Sequence, residues 1–230
     1  MNDIAAIIPA RGGSKGIPKK NLILLDDEPL IDYTIKFAKR LNLKTFVTSD
    51  DEEILERATI HNVERILRPK KYATDKSRII DTLIHVAKTI NSPDEIYKSI
   101  IVLQPTYLTR EIKEINSAIK FFQNKGLETL VHLTKMKEHP AECIKITNQK
   151  NKWEYIIPRE NLETNRQAFS DNFYFISGNF YISRINSLLE NKSFMHSRTE
   201  FYISEDRYLV DIDCYQDLEF AKTQIHRFKN

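Results

Sequence analysis

Cysteine is nearly missing from this chain: Cys143 and Cys214 stand alone and far apart. No Cys-x-x-Cys pair exists to build a usual zinc site, and two isolated thiols read as packed side chains of a reducing compartment. An excess of one charge is missing too. Lys and Arg number 35 against 32 Asp and Glu, a net charge of +3. Composition therefore gives no reason to expect nucleic acid as the main partner. Long apolar runs are absent, since no stretch approaches the roughly 20 residues needed to cross a bilayer. The run Ile4–Ile8 has no basic region before it and is too short for a signal peptide, so no membrane partner is expected and the expected compartment is the cytoplasm. The six histidines are scattered, with neither His-x-x-x-His nor a Ser/His/Asp set. Internal repeats and low-complexity linkers are also lacking.

What remains is a chain of 230 residues that can bury a substantial core as one α/β domain. Ile4–Ile8 stops at Pro9 and reads as a buried strand. Apolar residues then recur with helical spacing from Leu30 to Leu41, and Thr45–Thr48 is a second strand. The run Ser49-Asp50-Asp51-Glu52-Glu53 opens a helix with a capping residue and acids in its first turn, reaching about His61. Val63–Leu67, Ser99–Leu103 and Leu130–Leu133 are further strands, and Ile79–Ile90 and Glu111–Asn124 are helices between them. This alternation predicts a mostly parallel sheet covered on both faces. From about 136 to 205 the pattern changes to short β-like runs (Cys143–Thr147, Trp153–Ile157, Phe180–Ser183), an excursion of the same domain. A helix over Asp213 to Arg227 closes the chain.

Three places can carry chemistry. The first is the turn from Pro9 to Asn21, directly after the first strand. Its glycines allow close backbone approach to a ligand, free amides can hold anionic oxygens, and Arg11, Lys15, Lys19 and Lys20 add four cations within ten residues. That combination suits a triphosphate. Neither Gly-x-x-x-x-Gly-Lys-Ser/Thr nor Gly-x-Gly-x-x-Gly occurs, and the alternative is a solvated basic loop. The second is Val210-Asp211-Ile212-Asp213, where strand alternation puts both carboxylates on one face. Magnesium accepts such a pair together with substrate phosphates; the alternative is one helix cap and one solvated acid. The third is Gln104-Pro105-Thr106 at a strand end, where open α/β sheets place ligands; Gln104 offers a donor and an acceptor to a sugar, or marks an ordinary turn.

Ile8-Pro9-Ala10-Arg11-Gly12-Gly13-Ser14-Lys15-Gly16-Ile17-Pro18 with Lys20-Asn21-Leu22 resembles the N-terminal signature of the acylneuraminate cytidylyltransferases. These are the CMP-sialic acid synthetases and their relatives for pseudaminic and legionaminic acids. Val47–Ile54, Arg68-Pro69, Ala73-Thr74-Asp75, Leu103–Thr106 and Asp211-Ile212-Asp213 resemble the later blocks in order, so the resemblance spans nearly the whole chain. It implies a Rossmann-like α/β fold, CTP and a sialic-acid-like sugar acid as substrates, and magnesium as cofactor. It also implies a homodimer in which the 136–205 excursion reaches the neighbouring subunit. By the same resemblance, Ala10, Arg11, Gly12, Gly13, Ser14, Lys15, Lys20, Asn21, Arg68 and Asp75 hold the nucleotide. Arg11, Lys20, Asp211 and Asp213 are catalytic, with the two aspartates on the metal, and Gln104, Arg166 and Tyr181 contact the sugar. A guanidinium at 166 can pair with a sugar carboxylate in two-point fashion. Two runs depart from the family: Tyr107-Leu108-Thr109-Arg110 follows Gln-Pro-Thr where Ser-Pro-Leu-Arg is usual, and Ser177-Gly178-Asn179 stands near the Asn-Gly that precedes the family's tyrosine. The rival expectations are transfer to another acceptor such as Kdo, whose enzymes have a different N-terminal loop, and a non-catalytic nucleotide-binding subunit.

Overall fold

The computed structural model describes residues 3–91, 96–136, 138–147, 152–157, 173–204 and 210–224. Its strands are β1 (Ile4–Pro9), β2 (Leu24–Leu25), β3 (Glu28–Pro29), β4 (Thr45–Ser49), β5 (Glu64–Leu67), β6 (Ser99–Val102), β7 (Thr129–Lys135), β8 (Ile144–Ile146), β9 (Trp153–Tyr155), β10 (Tyr174–Arg184) and β11 (Thr199–Ser204). Its helices are α1 (Leu30–Arg40), α2 (Glu52–Ile60), α3 (Ile79–Thr89), α4 (Ile112–Asn124), α5 (Ile185–Asn191) and α6 (Tyr215–Gln224).

The central sheet has seven strands in the order β11-β7-β10-β6-β1-β4-β5. β10 runs antiparallel to both its neighbours, and the remaining pairs are parallel. The sheet is thus mostly parallel, as the alternation predicts. β1 and β6 are buried along their whole length, which explains why both read as continuous apolar runs rather than alternating ones. One core layer sets Ile8, Val47, Ile101 and Phe180 against α1 and α4; the other sets Ile7, Ile100 and Val102 against α3 and α5. The first four helices form where expected; the closing helix begins at Tyr215 rather than Asp213, its expected end at Arg227 lies outside the described residues, and α5 was not foreseen. Asp51 caps α2, its Oδ1 accepting the Glu53 and Ile54 N–H groups at 2.9 and 3.4 Å.

The stretch 136–205 is not one excursion. β10 and β11 lie within the central sheet, and among its described residues the strands that stand apart are β8 and β9, paired as a hairpin. The strand expected at Phe180–Ser183 is an eleven-residue strand with a register shift between Ile176 and Tyr181. Polar residues hid its first half: Ser177 and Asn179 are buried, and Ser177 Oγ meets His132 Nδ1 on β7 at 2.5 Å. No helix among the described residues is long and apolar enough to cross a membrane.

The chain runs outward from β1 to β4 and β5, then returns to β6 on the opposite side of β1. The strand order therefore reverses between β1 and β6. Ligands of open α/β sheets settle outside the carboxyl ends of strands at such a point.

Candidate active site

The turn after β1 and the turn after β6 face each other across a cleft of about 270 Å³, and the segment after β5 closes its third side. Arg11, Gly13, Ser14, Lys20 and Asn21 line it from the first turn, Gln104, Pro105 and Thr106 from the second, and Arg68, Tyr72, Thr74, Asp75 and Ser77 from the third. The cationic turn is anchored by Ile17. That side chain is fully buried in a small third core with Leu25, Leu30, Leu108, Val210, Ile212, Leu218 and Ala221. Burial of Ile17 beside Val210 and Ile212 is what brings residues 11–20 against the acid pair near the other end of the sequence.

Val210 and Ile212 face this core, so Asp211 and Asp213 turn the other way, as strand alternation predicts. The segment pairs antiparallel with the Gln104 turn: Leu108 N donates to Val210 O at 3.2 Å, Ile212 N to Thr106 O at 3.0 Å, and Tyr107 bridges Asp211. Lys20 Nζ donates to Ile212 O and to Asp213 Oδ1, both at 2.8 Å. The Lys20 side chain is only 13% exposed while Asp213 is 77% exposed, so the ammonium is fixed and the carboxylate reaches into solvent. Gly16 is needed at this junction, since a Cβ there would lie 2.3 Å from the Asp213 carbonyl oxygen. Asp217, in the first turn of α6, accepts the Asp213 and Cys214 N–H groups at 2.9 and 2.8 Å and fixes that backbone.

The cations differ in what they face. Arg11 Nη1 donates to Thr74 O at 3.2 Å and to Asp75 Oδ1 at 3.0 Å, and Lys15 Nζ lies 3.5 Å from Asp75 Oδ2. Lys19 departs from the expectation of a four-cation cluster: its backbone is left-handed, with φ of 50°, and its ammonium meets Glu53 at 2.6 Å, outside the cleft. Its hydrogen bond to Glu53 raises its pKa. Gly12 does not offer its amide to a ligand, because that N–H donates to Asp50 Oδ1 at 3.1 Å. A Cβ at Gly12 would stand 2.7 Å from Asp51 Oδ2. Asn21 Nδ2 donates to Arg11 O at 2.9 Å and shapes the turn from within. Ala10, buried, continues β1 by donating its N–H to Thr48 O at 3.0 Å.

Arg68 is buried, with Nη2 donating to Thr48 O at 3.0 Å and Nε lacking a partner among the described residues. Burial pushes its guanidinium down to about 10, a shift that nearby Asp50 opposes and Arg11 reinforces. A cation with a spare donor on the cleft wall suits an anionic or carbonyl-bearing ligand.

Asp211 is the best-placed group for a metal. Its Oδ1 is buried and has no hydrogen-bond partner among the described residues. Burial raises its pKa first, and the Asp213 charge adds to that, while Thr106, Lys20 and Arg110 pull it down. An orphaned carboxylate oxygen beside a second carboxylate fits one hard cation whose remaining ligands come from phosphates and water. No cluster of three or more His, Cys, Asp or Glu side chains suited to a metal occurs among the described residues.

On the far side, Gln104, Tyr107 and Tyr181 meet at Gly178. Gly178 has φ of +78°, and a Cβ there would be 3.3 Å from both Gln104 Nε2 and the Tyr107 ring and 3.7 Å from the Tyr181 hydroxyl. Tyr181 stacks on Phe194 at 4.6 Å. Burial and then the Asp211 charge raise the pKa of both tyrosines, so both stay protonated donors at neutral pH. Arg166 lies outside the described residues. Sequence reasoning gave no site role to Tyr72, Thr74 and Ser77, whose one signal is closeness to Asp75, or to Asp50 and Arg110.

A family model described as cytidylyltransferase matches residues 5–224. N-acylneuraminate cytidylyltransferase of Escherichia coli O18:K1:H7 is 30% identical over 230 residues, covering 99% of this chain and 53% of that protein. CMP-N,N'-diacetyllegionaminic acid synthase of Legionella pneumophila is 30% identical, covering 91% of this chain and 90% of that protein. Pseudaminic acid cytidylyltransferase of Campylobacter jejuni serotype O:2 is also 30% identical, covering 94% and 93%. The chain thus spans about half the length of the first relative and nearly all of the other two. Among solved structures, a CMP:2-keto-3-deoxy-manno-octonic acid synthetase complexed with CTP superposes with a TM-score of 0.71 at 16% identity, covering 97% of this chain and 98% of that one. A 4-diphosphocytidyl-2C-methyl-D-erythritol synthase from Anaerococcus prevotii gives 0.66 at 12% identity, with 97% and 98% coverage. These two share the fold.

Proposed function

The chain belongs to the cytidylyltransferase family, and from that premise we propose that it transfers CMP from CTP to the anomeric hydroxyl of a nonulosonic, sialic-acid-like sugar acid. The sugar oxygen attacks the α-phosphorus, the bond to the β-phosphate oxygen breaks, pyrophosphate leaves, and the hydroxyl proton is released. The observation that carries this reading is the Lys20 ammonium, held 2.8 Å from Asp213 at the point where the strand order reverses. It joins the phosphate-suited turn, which lines the cleft, to the acid pair beside it.

Transfer of this kind depends on positioning and on neutralising charge. Arg11 and Lys20 offset charge on the leaving pyrophosphate. Gly13 and Ser14 shape the floor beneath it, and Lys15 adds charge at the rim. Arg11 and Lys15 hold the Asp75 carboxylate between them, so nucleotide binding exchanges that carboxylate for phosphate oxygens. Arg68, with its spare Nε–H, and Asn21 complete the nucleotide side. Magnesium, held by Asp211 and Asp213, would supply charge neutralisation at the phosphates. Gln104 and Tyr181 present polar groups to the sugar acid, and we place the Arg166 guanidinium on its carboxylate.

The relatives act, by name, on sialic, legionaminic and pseudaminic acids, and their shared chemistry supports a nonulosonic acceptor. We also propose a homodimer. Large apolar side chains stand exposed on the hairpin (Ile146, Trp153) and on β10 and β11 (Phe175, Phe201, Ile203), and a second copy would cover them. Two free thiols, a nucleotide substrate and no helix suited to span a membrane among the described residues favour a cytoplasmic setting.

The test is pyrophosphate release from CTP and magnesium against sialic, legionaminic, pseudaminic and Kdo acids, with UTP and GTP as controls. Release with CTP and at least one nonulosonic acid, from a species that sediments at twice 27.0 kDa, is the expected outcome. Release only with Kdo, or tight CTP binding with no release at all, contradicts the assignment.

A further inference from the structure

Two segments far apart in sequence frame the sugar side of the cleft: the Gln104–Tyr107 turn and the Gly178–Asn179 bulge of β10. Arg110 is buried between them. Its Nε donates to the Asn179 carbonyl at 2.9 Å, Nη2 to the Gln104 carbonyl at 2.6 Å, and Nη1 to the Tyr107 carbonyl at 2.6 Å and the Thr34 hydroxyl at 3.3 Å. All four acceptors are neutral. Burial pushes this guanidinium down to about 9, opposed by Tyr107 and Asp211. A cation held by neutral oxygens is a poor way to gain stability, since an apolar side chain of similar volume carries no desolvation penalty. What a guanidinium adds here is geometry: a rigid planar fork of donors fixes three carbonyls from two segments at once.

The bulge is also held from its other face. Ser177 Oγ accepts the Asn179 N–H at 3.2 Å and meets His132 Nδ1 at 2.5 Å, and His132 Nε2 meets Glu114 at 3.4 Å. The Asn179 side chain contributes nothing to this hold: both its amide atoms are buried without a partner among the described residues. The backbone of the bulge thus rests on Arg110 on one side and Ser177 on the other. The same bulge lies close to both sugar-side groups: a Cβ on Gly178 would stand 3.3 Å from Gln104 Nε2 and 3.7 Å from the Tyr181 hydroxyl. On the nucleotide side Lys20, Asn21 and Arg68 make bonds that share no acceptor with Arg110, while the Gln104–Tyr107 turn is itself also held by its pairing with Val210–Ile212.

We propose that Arg110 is a positioning residue for the acceptor sugar, clamping the Gln104–Tyr107 turn to the Gly178–Asn179 bulge so that Gln104 and Tyr181 are held against the nucleotide half. This rests on the function proposed above and assigns its sugar side to a residue that touches neither substrate.

The experiment compares wild type, Arg110→Lys and Ser177→Ala, using CTP and the sugar acid that wild type turns over. Arg110→Lys keeps the charge and loses the fork; Ser177→Ala frees the Asn179 N–H and leaves the cation alone. Misplacement of a binding group by about an ångström can cost about 10- to 100-fold. The KM for the sugar acid is expected to rise by about that factor in Arg110→Lys and by less in Ser177→Ala, with the KM for CTP within about twofold of wild type. A folded Arg110→Lys with an unchanged sugar KM overturns the proposal. So does a parallel loss for both substrates, the mark of general loosening. If Arg110→Lys does not fold, Ser177→Ala decides by the same split between substrates. Absence of turnover in wild type with every sugar acid refutes the function itself and is thereby distinguished from failure of the clamp.

Discussion

Gly16 and Gly13 belong to the same turn and differ in what surrounds them. A Cβ on Gly16 would press on the Asp213 carbonyl oxygen at 2.3 Å, and backbone cannot rotate away as a side chain can; Gly13 has nothing within 4 Å. Gly16→Ala is therefore expected to push the cationic turn off the acid pair, with a stability loss of about 1–3 kcal/mol and a fall in CTP turnover. Gly13→Ala should keep the wild-type melt, because no protein atom opposes its Cβ. Thermal melts and pyrophosphate release, run side by side on the two variants, check this, and equal melts would mean that the turn does not rest on Asp213. At this scale the sequence was readable where chemistry and local spacing coincide: Arg11, Lys20 and Asn21 line one cleft, and Lys20 ties Asp213 to its edge. Lys19 was not distinguishable from Lys20 by residue type. A left-handed backbone and the nearby Glu53 separate them. Arg110 was silent as well, because two of its carbonyl acceptors, those of Gln104 and Asn179, lie 6 and 69 residues away, and no pattern of residue types encodes a bond to backbone.

Elements with a single periodicity were legible, and those built on buried polar groups were not. The α2 cap was visible because Asp51 stands immediately before an acidic first turn. The length of β10 was hidden by Ser177 and Asn179, which look like a polar turn; Ser177 finds its partner, His132, on β7. The tie between α4 and β7 has the same character. Glu114 reaches the fully buried His132; burial would raise the Glu114 pKa, yet hydrogen bonds from His132 and Ser204 outweigh it and hold the carboxyl below its ordinary value. An acid whose folded pKa is depressed contributes stability above the ordinary glutamate range and loses it as pH falls through the folded value. Glu114→Gln is expected to cost about 1–2 kcal/mol at neutral pH, a drop in melting temperature of about 2–8 °C. The gap should close on acidification. Melting curves of the two proteins across the acid range test this, and a gap independent of pH would mean that the carboxylate charge is not used.

The whole molecule follows from where the chain crosses its own starting strand. β1 sends the chain outward to β4 and β5, β6 brings it back on the other side, and the turns after β1 and β6 are left facing each other. The helix–strand alternation made that layering legible. The position of the acid pair was not, because it depends on Ile17, Val210 and Ile212 sharing a small core across nearly the full length of the chain. That core decides whether the two halves of the site exist as one. The most direct measurement is a magnesium titration of pyrophosphate release, with CTP and the preferred sugar acid, for wild type and Asp211→Asn. A metal held by this pair is worth several kcal/mol at the phosphates, so the variant should fall by at least about 100-fold while its circular dichroism and melt stay close to wild type, and wild-type rates should saturate in magnesium. Full turnover by Asp211→Asn, or a wild-type rate indifferent to magnesium, would contradict it.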